Sequence, residues 1–175
     1  MGQIGQILAA SGGLGQLYAR RLLEGVTPKN YARLAKPGGT LVQSNHAAFV
    51  LGHLDMYPEK VLERLGLSAG GTACPAAYAG LFEAGAECRD DPDGSIYPAL
   101  EELSRRFFDG YATALRAVGE ADDTLLLSPN PAEGRSRELF PTIGAMLGFY
   151  LGGHVMSHLG QVSAWRRCLG LPAAT

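Results

Sequence analysis

The stretch TIGAMLGFYLGGHVMSHLGQVSAWRRCL, residues 142–169, decides how this chain is read. It follows a start near Leu139 or Thr142 and runs to Leu169, where Gly170-Leu171-Pro172 supplies a stop signal. The spacing predicts one long helix. Gly144, Gly148 and Gly152 recur every four residues. They form a groove about a quarter turn from the histidines, where a neighbouring helix can approach closely.

Three further helical patterns precede it. Ile4, Ile7, Leu8, Leu14, Leu17, Tyr18, Leu22 and Leu23 recur at helical spacing from about Gly5 to Gly25, although Gly12, Gly13 and Gly15 weaken the pattern. A second helix begins near Ser44 or Asn45, both good N-caps. It carries Phe49, Val50, Leu54, Tyr57, Val61, Leu62 and Leu65 to its end at Gly66. Pro58 lies inside it and predicts a kink or a local loosening. A third runs from Pro98 to about Val118 on Leu100, Leu103, Phe107, Phe108, Tyr111 and Leu115. Residues 67–97 and 119–137 read as long irregular connections, the first holding an apolar patch at Tyr78 to Phe82. No strand alternation and no internal repeat appears. The fold class expected is all-α, a four-helix bundle formed by a single domain over residues 1–175.

Composition narrows the function. The net charge is −2, and basic residues cluster only as pairs (Arg20-Arg21, Arg105-Arg106, Arg166-Arg167), so nucleic acid is not an expected partner. No apolar run has the ~18 residues of a membrane span. Residues 1–19 carry no Lys or Arg, so no secretory leader is expected. The expected location is cytoplasmic. Cys74, Cys88 and Cys168 are odd in number and form no CxxC pair, which reads as reduced thiols. Asp90 to Asp93 resembles a calcium loop in spacing but lacks the terminal Glu, and reads as a solvated turn.

The chemistry lies in the histidines, of which there are four. His154 and His158 stand at i and i+4, on one helix face about one turn apart. Two imidazoles so placed can share a metal ion. The sequence between them is Val155-Met156-Ser157, without the glutamate of an HExxH metalloprotease. An HxxxH pair alone is a weak signal. His53, on the second helix amid apolar residues, completes a set of three, and bundle cores are where facing helices build metal sites. Three His ligands with an open fourth position suit a catalytic rather than a structural ion. His46, seven residues before His53, reads as an exposed first-turn residue or else a further contact. Gln161 shares the histidine face and is a candidate to orient a ligand. Asn45 reads as a cap more than a substrate contact. Asp55 points away from the histidines. No Asp or Glu falls on the histidine face of the fourth helix, so no general base is assigned.

Taken together, Asn45-x6-Gly52-His53-Leu54, Leu81-Phe82-x-x-Gly85, Tyr97-Pro98, the Leu103 helix and His154-x3-His158-Leu159-Gly160-Gln161, followed by Arg166 to Pro172, resemble the DinB/YfiT-like superfamily. The likeness spans nearly the whole chain. It implies a four-helix bundle in up-down-down-up order and a homodimer. It also implies one divalent ion, nickel or zinc, on His53, His154 and His158. Relatives in that superfamily include S-transferases that use bacillithiol, mycothiol or glutathione, a mycothiol-dependent maleylpyruvate isomerase, and hydrolases. The reaction expected is thiol S-transfer to a small electrophilic substrate, with a low-molecular-weight thiol as co-substrate. The alternatives are a metal-dependent hydrolase and a non-catalytic, stress-related metal-binding protein.

Overall fold

The structure, a computed structural model, describes residues 2–174. Among them there is no strand, only an isolated bridge between Pro129 and Thr142. The helices are α1 (Gln3–Leu23), α2 (Ala47–Asp55), α3 (Tyr57–Arg64), α4 (Ala79–Phe82), α5 (Leu100–Glu120), α6 (Asp123–Leu127), α7 (Arg135–Leu139), α8 (Ile143–Gly148) and α9 (His154–Cys168). A π-helical turn, Phe149–Gly153, joins α8 to α9. Helices α1, α5, α2 and α9 each touch the next in a ring, with α9 closing back on α1. Leu22, Leu51, Leu54, Leu103, Phe107, Tyr111, Leu147 and Trp165 fill the space inside.

The glycines of α1 are where its neighbours come closest. A Cβ at Gly12 would stand 2.6 Å from Leu115, one at Gly15 would stand 3.0 Å from Val155, and Gly5 lies against the carbonyl of Val118. The helix gives up roughly 1 kcal/mol per glycine in propensity and gains close contact with α5 and α9. That close contact is why the pattern holds despite its glycines.

The second helical pattern is two helices, not one kinked helix. Residue Met56 is the turn between α2 and α3, and Pro58 sits in the first turn of α3, where its missing N–H costs nothing. The N-cap of α2 is neither Ser44 nor Asn45. It is His46, whose Nδ1 accepts the Phe49 N–H at 3.2 Å. The connection at 119–137 is also more ordered than its sequence suggests. Asp122 caps α6 through the Thr124 N–H at 2.7 Å, and Leu126 is buried. In the other long connection, the acidic run is no solvated turn. Asp90 pairs with Arg33 at 2.9 Å and accepts the Leu34 N–H, while buried Asp91 accepts the N–H groups of Ser95, Ile96 and Tyr97. These bonds fasten residues 90–97 to the chain around Ala32, whose carbonyl accepts the Asp91 N–H. No helix is long and apolar enough to cross a membrane among the described residues.

Candidate metal centre

Residues His53, His154 and His158 meet at one point. The Nε2 atom of His154 lies 3.2 Å from Nε2 of His53 and 3.1 Å from Nε2 of His158. The first two rings are buried and the third is half-buried. They form the floor of a cavity of about 310 Å³ whose walls include Asn45, Phe49, Tyr57, Glu83 and Gly85.

Each ring is set by its backbone. His53 comes from the last turn of α2, and its Nδ1 donates to the Phe82 carbonyl at the end of α4, at 2.7 Å. That contact needs Gly52, because a Cβ there would collide with the Phe82 ring. The Gly52-His53 pair therefore has a mechanical meaning: the glycine admits the aromatic ring whose carbonyl then holds the histidine. Residue His154 opens α9 directly after the π-helical turn. The extra residue in such a turn re-aims the side chains that follow, and such turns concentrate at functional sites. His158 follows one turn later, and its Nδ1 donates to Gln161 Oε1 at 3.0 Å. The same oxygen accepts from Asn45 Nδ2 at 3.0 Å.

The Phe82 carbonyl sets the tautomer of His53, and Gln161 Oε1 as placed sets that of His158. An imidazole whose Nδ1–H donates to a carbonyl presents a lone pair at Nε2. His53 and His158 both do so, and both lone pairs face His154. One N–H on His154 Nε2 can satisfy one of them, never both. Its Nδ1 is buried without a partner. Protonation does not resolve the conflict. Burial, then the neighbouring His158 and His53, push His154 down to about 3, and burial likewise lowers His53 despite its Phe82 bond. A cation among the three nitrogens removes the repulsion. Ligand bonds of about 2.1 Å put neighbouring nitrogens roughly 3.0 Å apart in an octahedral set and 3.4 Å in a tetrahedral one. The observed 3.1 and 3.2 Å fall between. The three imidazole nitrogens could hold a metal ion, and imidazole suits zinc, nickel, copper and iron alike.

The other sequence candidates divide. Gln161 stands behind His158, as its place on the helix face suggests, and Asn45 holds Gln161 rather than capping α2. Residue His46 is neither exposed nor a ligand. It is fully buried, and Nε2 donates to the Arg89 carbonyl at 2.9 Å while Nδ1 serves as the cap. Asp55 does point away from the histidines, into a buried pair with Arg106 at 2.7 Å. Cys74 and Cys88 are half-buried, and burial pushes both thiols up to about 11; Cys168 is half-buried too.

Two residues at the site escape the sequence reading. The Tyr57 ring lies 4.2 Å from the His154 ring, centroid to centroid. Glu83, exposed and just past α4, also lines the cavity. Tyr57 reads in sequence only as part of an apolar stripe, and Glu83 falls on an unspecified position of the Leu81-Phe82-x-x-Gly85 pattern. A larger cavity, about 810 Å³, lies between α3, α5 and residues 67–72. Its wall charges are largely matched, Asp55 to Arg106 and Asp109 to Arg105, and no set of lone pairs converges there.

No family model, curated protein or solved structure matches this chain.

Proposed function

We propose that the chain holds one divalent metal ion, nickel or zinc, on Nε2 of His53, His154 and His158, and acts as a thiol S-transferase on a small electrophilic substrate. The observation that carries the metal reading is the convergence of three Nε2 atoms, with His53 and His158 held from behind through Nδ1 and His154 left without a partner there. Membership of the DinB/YfiT-like superfamily, with its up-down-down-up four-helix order, is part of the same reading. It is supported by the motifs around these histidines and by the ring of α1, α5, α2 and α9.

A bound ion would supply Lewis acidity, lowering the pKa of a thiol or water at the position the histidines leave open. The chain's own residues prepare that position. Phe82 and Gln161 hold two rings in the ligating tautomer and raise their basicity. Phe49 and Tyr57 wall the cavity with aromatic surface and limit water around the reacting atoms. The thiols of Cys74 and Cys88, raised by burial, are poor nucleophiles. The nucleophilic sulfur in this reading therefore comes from a small co-substrate.

Glu83 favours a second reading, a metal-dependent hydrolase, because its carboxylate can act as the base that water attack needs. Glu83→Gln separates the two. The transferase reading expects conjugation of low-molecular-weight thiols to model electrophiles to persist in this variant and to vanish on metal removal. Ester hydrolysis without any thiol conjugation, abolished by Glu83→Gln, overturns it. A protein that binds metal and turns over neither class of substrate is the non-catalytic alternative.

A further inference from the structure

Helix α5 carries two stripes. Leu103, Phe107, Tyr111, Ala114 and Val118 turn into the core and are buried. Beside them Arg106, Gly110, Thr113, Ala117 and Ala121 follow at steps of four, three, four and four, and line the larger cavity of about 810 Å³. Most of this second stripe is small, so the wall it makes is concave. Helix α3, which lies opposite, has 8 residues against 21 in α5. It therefore covers about 12 Å of a helix about 31 Å long. Leu62, Leu65 and Leu67, in and just after α3, give the cavity its apolar side. A space of this size takes a small organic molecule.

The polar end of the cavity is a buried ion pair that is only half used. Asp55, 2% exposed, accepts from Arg106 Nε on Oδ2 at 2.7 Å, and its Oδ1 accepts from no described residue. That free oxygen lies at the Gly110 corner, 3.8 Å from where a Cβ at Gly110 would stand. Arg106 gives Nη2 to the Ala73 carbonyl at 2.9 Å, and its Nη1 donates to no described residue. Both side chains belong to the cavity lining. An unpaired buried acceptor carries its full desolvation cost, and a ligand that donates to it recovers that cost.

The charges decide what kind of head group fits. Arg106 already neutralises Asp55, and Arg105 pairs with Asp109 at 3.9 Å. The remaining charges of the lining, Arg116 and Glu120, are exposed, opposite in sign and one turn apart on α5. The lining is therefore balanced. A carboxylate head would meet the free Asp55 oxygen, and an ammonium head would meet the Arg106 guanidinium. Either charge would leave water for a site that holds its own sign. An uncharged group that donates and accepts side by side meets neither repulsion: its N–H serves Asp55 Oδ1, and its C=O accepts from Arg106 Nη1. A primary carboxamide is the simplest such group.

We propose that this cavity is a binding site, separate from the histidine centre, for an uncharged amphipathic molecule of the carboxamide class. Its head lies on Asp55 and Arg106 and its apolar body along Leu62, Leu65 and Ala117. Nothing in this rests on a bound metal. Octanamide, octanoate and octylammonium test it, each titrated into the isotope-labelled, untagged full chain and followed by NMR. Octanamide is expected to bind with a Kd of about 0.1–1 mM. It is expected to move the amide signals of Gly110, Thr113 and Ala117 and to leave those of His53 and His158 in place. The two charged probes are expected to bind at least about tenfold more weakly. Ala117→Phe fills the cavity from a half-buried position. It is expected to weaken octanamide at least about tenfold with far-UV circular dichroism unchanged. Thr113→Phe stands in if that variant misfolds. Absence of octanamide binding, equal binding of the three probes, or shifts confined to the histidine centre overturn the proposal. A folded cavity-filling variant that binds octanamide as tightly as the wild type also overturns it.

Discussion

The Phe82 carbonyl accepts the Nδ1–H of His53 at 2.7 Å, and Gly52, one residue earlier, is what lets the Phe82 ring lie against α2. The tautomer of His53 is thus set by a packing contact. Gly52→Ala is expected to push Phe82 off α2, cost about 1–3 kcal/mol of stability by overpacking, and weaken metal binding about 10–100-fold. Titration of the apo-protein with zinc or nickel measures it. Unaltered affinity in a folded Gly52→Ala protein would separate Phe82 from the site.

Gln161 holds the opposite side. Because its Oε1 accepts from both His158 and Asn45, Gln161→Ala frees His158 to rotate and to change tautomer. The expected loss is about 10–100-fold in metal affinity, with a smaller loss for Asn45→Ala. If Gln161→Ala binds as tightly as the wild type, the amide has no part in orienting His158.

Buried histidines give the metal-free protein a pH dependence of definite sign. His46, His53 and His154 all have lowered pKa values, burial being the largest cause in each. The unfolded chain binds these protons near pH 6.5 and the folded one does not. Stability is therefore complete above about 6.5 and is lost as the pH falls toward the folded values, about 3 for His154. From His154 alone the loss at pH 5 is about 2 kcal/mol, or roughly 4–8 °C in Tm. Calorimetry of chelator-treated protein at pH 7.5 and pH 5 reads it, and equal Tm values would contradict the burial of these rings.

Asp91 anchors the loop that carries Arg89 to His46. Burial pushes its carboxyl up, yet the N–H groups of Tyr97, Ile96, Ser95 and Gly94 hold it below the usual range. Its contribution is present above about pH 4 and is lost as the pH falls through the lowered value. Asp91→Ala leaves the hydrogen-bonded N–H groups of Ser95, Ile96 and Tyr97 unpaired and is expected to cost about 2–4 kcal/mol. Denaturant unfolding checks this; a change below about 0.5 kcal/mol would show that the turn is held by other means.

Much of this architecture can be read from the chain, and the exceptions have physical causes. The helix from residue 142 onward is legible because its apolar period is long. The π-helical turn inside it is not, because one inserted residue leaves the pattern on either side intact. Pro58 marks a break correctly but not its type, since a proline suits a first turn as well as a kink. His154 and His158 announce themselves by spacing, whereas His53 needs a partner 101 positions away. His46 misleads: a histidine at a cap looks exposed until the loop carrying Arg89 folds over it. Tyr57 and Glu83 are silent in sequence because only the packing of α3 and α4 brings them to the cavity.

The most direct measurement is the metal content of protein purified without a histidine tag, for the wild type and for His154→Ala. The account predicts close to one equivalent of a divalent ion per chain, nickel or zinc, and its loss in the variant while the helical circular dichroism is kept. A wild type that binds no ion after loading with either metal, or a His154→Ala protein with the same stoichiometry, would contradict it.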